Sequence, residues 1–390
     1  MKKKGKILRV VTSSVSFCLL KGQLKYMTQQ GIDVYAASGE PFDRIDTVAK
    51  QEKVVVFQLK HLIRPVSVGQ DFAALFEMVK LIRKIKPDII HTHTPKAGMV
   101  GMLAGWWCKV PIRMHTVAGL PLLVHKGFKR RVLNFVERIT YMCATKIYPN
   151  SHALKDIIIK EKFAPARKLI VLANGSSNGI DTDYYSSSHF TEKETDKLRE
   201  ELNIAKSDFV FIFIGRLVKD KGLNELISAF SRLKAQNSKL LLVGPFEEEL
   251  DPLLPETLSE IKINKNIISL GWQDDVRPYF AISDALVFPS YREGFPNVVM
   301  QAGSMGLPSI VTDINGCNEI IIEKENGVII PPKDEEKLFD AMLFFLDYEK
   351  EVKRMAGNSR GLITNRYEQR IVWEAILAEY KKLEKDLLSS

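Results

Sequence analysis

Residues 209–214 of this 390-residue chain read FVFIFI, and residues 215–222 continue with GRLVKDKG. Such an unbroken apolar run predicts a strand buried on both faces, as in a parallel sheet that helices cover. The glycines and charged residues after it predict a loop that leads into a helix at Gly222. Arg216 and Lys221 would then lie at the sheet edge where α/β folds bind ligands. Two cations in such a loop are suited to hold a diphosphate, although a solvated basic loop has the same composition.

Short runs rich in Val and Ile alternate with longer helix-period segments along the whole chain, which predicts an α/β protein with two sheets. In the first half we predict strands at residues 7–11, 34–37, 54–57, 89–92, 113–116, 147–149 and 169–172, and helices at 69–85, 96–108, 128–143 and 152–162. In the second half we predict strands at 209–214, 239–243, 267–270, 285–289, 309–312 and 328–330, helices at 222–234 and 297–305, and a helical tail from Glu335.

The segment 173–179 is dense in turn-forming residues, and residues 184–196 after it are polar. This composition predicts a boundary between two lobes. We therefore expect an N-terminal lobe over residues 1–175, a C-terminal lobe over 176–370 and a C-terminal helix over 371–390.

The composition, with 45% hydrophobic and 26% charged residues, is typical of a soluble globular protein. No stretch approaches the roughly 20 apolar residues of a membrane-spanning helix. The four cysteines are scattered, which disfavours both a disulfide framework and a zinc site and fits a cytoplasmic protein.

The charge is divided unevenly between the two halves. Residues 1–170 carry 30 Lys and Arg against 11 Asp and Glu, whereas the remaining residues carry 26 against 36. The basic half is expected to face an anionic membrane, a diphosphate-bearing substrate or nucleic acid, unless it is only a solvated face. Nucleic acid is disfavoured, because no aromatic-basic repeat is present.

Residues 120–142 interleave apolar and basic side chains, and Trp106 and Trp107 precede them. This pattern predicts peripheral contact with an anionic membrane surface. Packing of the apolar residues against the sheet of the first lobe explains them equally well.

A second segment with candidate site residues, PSYREGFPNV at 289–298, follows the predicted strand at 285–288. Glu293 precedes a turn that opens a helix. Its carboxylate can accept hydrogen bonds from sugar hydroxyls, and the free amides of the turn can hold a phosphate. The alternative is that Glu293 and Asn297 only cap their own turn.

Together, these two segments resemble the donor site of retaining glycosyltransferases of family 4. The resemblance extends to HTHTPKAG at residues 91–98, to NGID at 178–181, and to SMGLP at 304–308 followed by Thr312 and Asp313. It implies the GT-B fold, in which two Rossmann-like lobes face each other across a cleft and C-terminal helices pack back towards the first lobe. It also implies a UDP-sugar donor and a role in capsular or other surface polysaccharide biosynthesis.

Carried over by resemblance, Arg216 and Lys221 bind the donor diphosphate and Glu293 contacts the transferred sugar. These three would be the catalytic residues. The donor-binding positions implied by the family are Gly215, Arg216, Lys221, Glu293, Gly294, Phe295, Pro296, Asn297, Val298 and Gln301. On the acceptor side, the positions are Lys21, Gly22, His93, Lys96, His115 and Thr116.

Two positions depart from the family pattern. Gln301 stands where the family has a glutamate that binds ribose, and an amide can form the same hydrogen bonds only without charge assistance. Ala118 stands where many relatives have a histidine near the transferred sugar, and His115 is not its equivalent.

The implied reaction retains the anomeric configuration and uses neither a metal nor another cofactor. The acceptor would be a polyprenyl-diphosphate-linked saccharide or another glycan. Asp181, Thr182 and Asp183 match a metal-binding pattern of other glycosyltransferases, but they follow a linker-like segment and are better explained as a turn. Two alternatives remain open: a nucleotide-sugar epimerase, and a degenerate transferase that serves as a UDP-sugar-binding or assembly subunit.

Overall fold

The computed structural model describes residues 5–233, 237–247 and 251–389, without the side chains of Pro121, Val124 and Leu388. The chain divides into two compact units. Unit 1 comprises residues 1–179 and 369–390, and unit 2 comprises residues 180–368. The predicted lobe boundaries, 175/176 and 370/371, lie within four residues of these divisions.

Unit 1 contains a parallel sheet of six strands in the order β3-β2-β1-β4-β5-β6. The strands are β1 (Lys6–Ser13), β2 (Asp33–Gly39), β3 (Val55–Gln58), β4 (Ile89–Thr92), β5 (Ile112–Val117) and β6 (Lys146–Pro149). The helices are α1 (Gln23–Gln29), α2 (Ile45–Glu52), α3 (Val68–Ile85), α4 (Pro95–Trp107), α5 (Gly127–Cys143) and α6 (His152–Lys160). Alternate residues of each strand point to opposite faces of the sheet, and the apolar ones form a hydrophobic core on each face, as expected for a doubly wound fold.

Unit 2 repeats this topology, with a parallel sheet in the order β12-β11-β10-β7-β8-β9. Its strands are β7 (Phe209–Ile214), β8 (Ser238–Val243), β9 (Ile267–Gly271), β10 (Ala285–Phe288), β11 (Ser309–Thr312) and β12 (Gly327–Ile330). Its helices are α7 (Glu192–Glu201), α8 (Leu223–Arg232), α9 (Pro255–Ile263), α10 (Arg277–Ala281), α11 (Asn297–Ser304), α12 (Cys317–Ile320), α13 (Glu335–Asp347) and α14 (Glu349–Tyr367). The predicted end of α8 at residue 234 falls outside the described residues.

The apolar run at residues 209–214 forms the central strand β7. Its residues 210–213 are inaccessible to solvent, because helices cover both faces of the sheet. Burial of each such large apolar side chain stabilises the fold by about 1.5–3 kcal/mol. The prediction of a two-sheet α/β fold is confirmed.

One prediction about local structure was wrong. Residues 169–172 form no strand: Leu169 makes a single parallel bridge to Ile147, and the chain then turns at Ala173 with φ of 47°. The polar segment 184–196 contains the start of α7, where Thr191 and Glu194 form a reciprocal cap. The last helix, α15 (Gln369–Leu388), belongs to unit 1, in agreement with the prediction that the C-terminal part of the chain returns to the first lobe, and α13 and α14 belong to unit 2.

Candidate active site

The two segments singled out from the sequence meet in unit 2 at the point where the strand order reverses. Strands β7 and β10 are neighbours in the sheet, although β8 and β9 lie between them in the chain. Residues 215–222 follow β7 and residues 289–296 follow β10, so both loops leave the carboxyl edge of the sheet side by side. Doubly wound sheets bind their ligands in the crevice at such a switch point.

Lys221 and Glu293 form an ion pair at this point. Their side chains are only 15% and 16% exposed, so the pair is held in a partly desolvated setting. The Ser290 hydroxyl donates a second hydrogen bond to the same carboxylate, at 2.9 Å. The structure therefore brings Glu293 together with one of the two predicted cations.

The backbone holds the two loops against each other. The amide of Tyr291 donates to the carbonyl of Asp220 at 2.9 Å. Gly222 adopts a left-handed conformation with φ of 73°, and a Cβ atom there would lie 2.2 Å from the carbonyl oxygen of Pro289. Only glycine satisfies both conditions, because other residues clash with their own backbone and with this neighbour. Gly222 thus permits the contact that places Lys221 beside Glu293.

Arg216 lies on the same loop but is more exposed, at 42%. Its guanidinium group forms an ion pair with Glu247 at 2.7 Å, and this hydrogen bond raises the pKa of Arg216. Arg216 and Lys221 thus share the loop after β7, and Glu293 lies on the neighbouring loop after β10. Their roles in catalysis remain predictions.

Glu247 was not among the sequence-derived candidates, although a signal for it exists. It follows β8, the strand next to β7, and therefore leaves the same edge of the sheet. Asn315, which follows β11, was missed in the same way. Its amide donates to the carbonyls of Glu293 at 2.6 Å and Gly294 at 3.0 Å, and so holds the turn before α11 in place.

The turn before α11 presents backbone donors to the site. Pro296 is the residue that caps α11, and its side chain forms no hydrogen bond to the first amides of this helix. Helix α11 begins at Asn297, as predicted, so Asn297 is its first residue and not its cap. The amides from Asn297 onward are therefore suited to bind a phosphate. Phe295 packs edge-on against Tyr367, with ring centroids 5.4 Å apart.

Gln301 lies one turn into α11. Its amide nitrogen donates to the hydroxyl of Tyr185 at 2.9 Å. Burial raises the pKa of Tyr185 to about 12, so this hydroxyl is protonated at neutral pH. The bond leaves the carbonyl oxygen of Gln301 as the group that can accept from a ligand.

The acceptor-side candidates on β4 and β5 belong to a buried hydrogen-bond network in unit 1. The fully buried Arg9 donates to His93 at 2.9 Å and to Tyr380 of α15 at 2.8 Å. Thr116 pairs with His91 at 2.8 Å, and His115 pairs with Thr92 at 2.7 Å. This network gives the buried side chains of His91 and His93 hydrogen-bond partners. The predicted acceptor contacts of His93, His115 and Thr116 stay predictions.

These histidines should make unit 1 sensitive to acid. Burial lowers the pKa of His115 from 6.5 to about 4, and burial and the charge of Arg9 hold the pKa values of His91 and His93 well below the usual range. The unfolded chain takes up these protons first as the pH falls, so stability that is complete above pH 6.5 is lost below it. For His115 alone the loss approaches about 3 kcal/mol near its folded pKa.

Thermal unfolding measured from neutral pH to about pH 5 would check this expectation. His115→Gln removes one titrating ring and should make the fall in unfolding temperature shallower than in the wild type. Parallel curves for the two proteins would contradict it.

The remaining acceptor-side candidates lie at the carboxyl edge of the first sheet. Gly22 has φ of 80°, and a Cβ atom there would lie 2.7 Å from the ring of Trp373, so its conformation is a requirement of the fold. Lys96 pairs with Asp71 at 2.7 Å. Lys21 lines a cavity of about 400 Å³.

The helices α3, α4 and α5 pack side by side and form a surface that is both apolar and basic, here called the α3–α5 surface. Its exposed residues are Phe72, Phe76, Trp106, Trp107, Phe128, Phe135, Lys129, Arg131 and Arg138. Phe128 and Phe135 are 80% and 64% exposed, so sheet packing does not account for them. Leu122, by contrast, is buried in the core, and Arg130 pairs with Glu161.

Asp181, Thr182 and Asp183, which match a metal-binding pattern of other glycosyltransferases, lie at a turn. The Asp181 carboxylate accepts the amide of Tyr184 at 2.8 Å, which is turn chemistry. Within the residues that the structure describes, no three His, Cys, Asp or Glu side chains lie close enough to hold a metal ion.

Comparison with known proteins identifies the family. Residues 194–361 match the model of glycosyl transferases group 1, and residues 23–175 match the glycosyl transferase 4-like domain. A capsular polysaccharide biosynthesis glycosyltransferase, CapM of Staphylococcus aureus, is 31% identical over 98% of this chain and 99% of its own length. The chain is a family 4 glycosyltransferase.

Two further similarities agree with this assignment. An Escherichia coli UDP-Gal:α-D-GlcNAc-diphosphoundecaprenol α-1,3-galactosyltransferase is 29% identical to this glycosyltransferase over 80% of each chain. The crystal structure of Anabaena Alr3699/HepE in complex with UDP has a TM-score of 0.80 at 20% identity and covers 97% of this chain and all of its own. This last likeness concerns the fold alone, and the predicted GT-B fold is confirmed.

Proposed function

We propose that this glycosyltransferase moves a sugar from a UDP-sugar to a lipid-diphosphate-linked saccharide in surface polysaccharide biosynthesis, with retention of configuration and without a metal. The observation that carries the proposal is the ion pair of Lys221 and Glu293 at the switch point of unit 2, with Arg216 on the same loop as Lys221. The relatives with capsular and diphosphoundecaprenol substrates in their names support the acceptor class.

The charges at this site suit the departure of UDP. Negative charge develops on the oxygen between sugar and phosphate as the bond breaks, and fixed cations stabilise it best when they are already in place. The partly buried Lys221 is such a cation, held by Glu293. Arg216 adds a forked donor for the phosphate oxygens once these replace the carboxylate of Glu247.

The Glu293 carboxylate has a second function in this proposal. It remains beside the ammonium group and accepts hydrogen bonds from hydroxyls of the transferred sugar, while the amides at the start of α11 face the phosphate. The carbonyl of Gln301 accepts a ribose hydroxyl.

Incubation with labelled UDP-sugars and a lipid extract, with and without a chelator, distinguishes the possible functions. Transfer predicts label in the lipid fraction at a rate that the chelator does not change. Interconversion of the free donor would indicate an epimerase, and UDP binding without either reaction would indicate an assembly subunit. The epimerase alternative needs acid and base groups flanking the sugar, and Ala118 offers none at its position.

We also propose that the α3–α5 surface docks on an anionic membrane. Its aromatic residues can enter the interface between headgroups and acyl chains, while the exposed Lys129, Arg131 and Arg138 meet anionic headgroups. No helix in the described ranges is both long and apolar enough to cross a bilayer.

Flotation with vesicles that contain phosphatidylglycerol tests this docking. We expect the wild type to bind the vesicles at low salt. The double variant Phe128→Asp/Phe135→Asp should bind them at least about two orders of magnitude more weakly, since each phenylalanine buried in the membrane contributes about 1.5–3 kcal/mol. Ile263→Asp is the matched control, because Ile263 is 69% exposed but lies on α9 of unit 2. A wild-type protein that stays in solution at low salt would disprove the docking.

A further inference from the structure

Each of the two cations proposed to hold the donor diphosphate is paired with a carboxylate of unit 2. Lys221 pairs with Glu293, and Nη1 of Arg216 lies 2.7 Å from Oε2 of Glu247. These two pairs together are electrically neutral. A nucleoside diphosphate brings further negative charge, so a carboxylate has to leave its cation before phosphate oxygens can take its place.

The two carboxylates differ in how firmly they are held. Glu293 is 16% exposed and also accepts the hydroxyl of Ser290 at 2.9 Å. Glu247 is 33% exposed, and within the described residues its carboxylate has the guanidinium group of Arg216 as its one hydrogen-bond partner. Water screens the charges of a pair that is so exposed, which makes it weak. The carboxylate of Glu247 is therefore the one that a ligand can displace.

Backbone contacts hold the loop after β8, which carries Glu247, against the loop after β7. The amide of Leu217 donates to the carbonyl of Pro245 at 2.8 Å. A Cβ atom at Gly244 would lie 1.8 Å from the carbonyl oxygen of Gly215, so this approach requires a glycine. None of these contacts involves the Glu247 side chain. Its carboxylate can thus turn away from the guanidinium group and return to it while the two loops stay together.

A carboxylate resembles a phosphate in the way it meets arginine. Both groups present two oxygens to the forked donors of a guanidinium group. Glu247 therefore occupies, beside Arg216, the position that phosphate oxygens take in the proposed donor complex. As long as it lies there, it neutralises the charge that would attract a diphosphate.

We infer that Glu247 is an internal competitor of the donor: it holds Arg216 in the free protein, gives way to the diphosphate of the UDP-sugar, and returns to Arg216 when UDP leaves. The inference rests on the proposed function, since the ligand that displaces the carboxylate is the diphosphate of the proposed donor. It adds a residue that regulates the affinity for UDP without contacting the transferred sugar. The alternative role, in which Glu247 orients Arg216 for the diphosphate, predicts an effect of the opposite sign.

Calorimetric titration with UDP tests the inference on the wild type and on Glu247→Gln, which keeps the shape of the side chain and removes its charge. We expect the variant to bind UDP about five- to tenfold more tightly, because Arg216 no longer exchanges one ionic partner for another and a negative charge beside the phosphates is gone. In the Arg216→Ala background, the same substitution should change the affinity less than about twofold, because no guanidinium group then holds the carboxylate at this position.

Glu200→Gln is the matched control, because it removes the same charge from an exposed residue of α7, the helix that leads into the amino end of β7. This variant should bind UDP like the wild type. Unchanged or weaker binding by Glu247→Gln would overturn the inference, and so would an equal gain with and without Arg216.

The same titrations separate the inference from the function on which it rests. A wild-type protein that binds no UDP would contradict both. Normal UDP binding that Glu247→Gln does not strengthen would contradict the inference alone. Tighter UDP binding by Glu247→Gln in a protein without transferase activity would contradict only the proposed function.

Discussion

Lys221→Ala is expected to lower kcat by about 10²- to 10³-fold, the usual effect of removing one preorganised group that stabilises developing charge. The ammonium group is partly buried against Glu293, so no water molecule or flexible cation can replace it at equal strength. Arg216→Ala should also abolish most turnover. Because the Arg216 side chain is more exposed, we expect this loss to come mainly from weaker binding of the diphosphate.

Steady-state kinetics of sugar transfer measure both effects, with the UDP-sugar from which the protein transfers label to the lipid extract. Lys219→Ala is the matched control, since Lys219 is an exposed lysine of the same loop. An unchanged thermal unfolding temperature would show that the loss is not a loss of folding. Near-normal transfer by both Lys221→Ala and Arg216→Ala would refute the assignment of the donor site.

Gly222→Ala should impair both stability and turnover. An alanine at φ of 73° costs about 1–2 kcal/mol, and its Cβ would meet the carbonyl oxygen of Pro289 at 2.2 Å, a contact that backbone must move to relieve. The loops of Lys221 and Glu293 would then separate. We expect the unfolding temperature to fall by about 5–10 °C and kcat by at least about a hundredfold.

Gly361→Ala provides the control for this substitution. Gly361 lies within α14 and has open space around its Cβ position, so alanine should leave stability unchanged or raise it by up to about 1 kcal/mol. Calorimetry and the transfer assay on both variants check the expectation. If Gly222→Ala had the unfolding temperature and kcat of the wild type, the two loops would tolerate a side chain at position 222, and the expectation would be wrong.

Much of the fold could be predicted from local patterns. The apolar run at 209–214 became β7 with the predicted ends, because a strand buried on both faces needs apolar residues at every position. The same reasoning was wrong for residues 169–172: all four are apolar and two are β-branched, but Ala173 and Gly175 turn the chain away after one bridge. The return of α15 to unit 1 depends on long-range contacts, such as the bond from Arg9 to Tyr380, that no local pattern reveals.

Some residues of the donor site could likewise be predicted from the sequence, and others could not. Its cations and its carboxylate were found because each follows a predicted strand of a parallel sheet, where ligands bind. Glu247 and Asn315 follow strands as well, but nothing in their immediate surroundings separates them from ordinary loop residues. The structure distinguishes them by their bonds to Arg216 and to the turn of Glu293.

The sequence by itself determined that this protein has two α/β units and carries a basic loop and an acidic loop of a family 4 glycosyltransferase, because these features are local in the chain. The tertiary structure decided that Lys221 contacts Glu293 across 72 positions. The physical reason is that strand order and helix packing, rather than spacing along the chain, bring distant residues together. In this site, Gly222 allows the backbones of the two loops to approach each other closely, because it has no Cβ atom that would clash with Pro289.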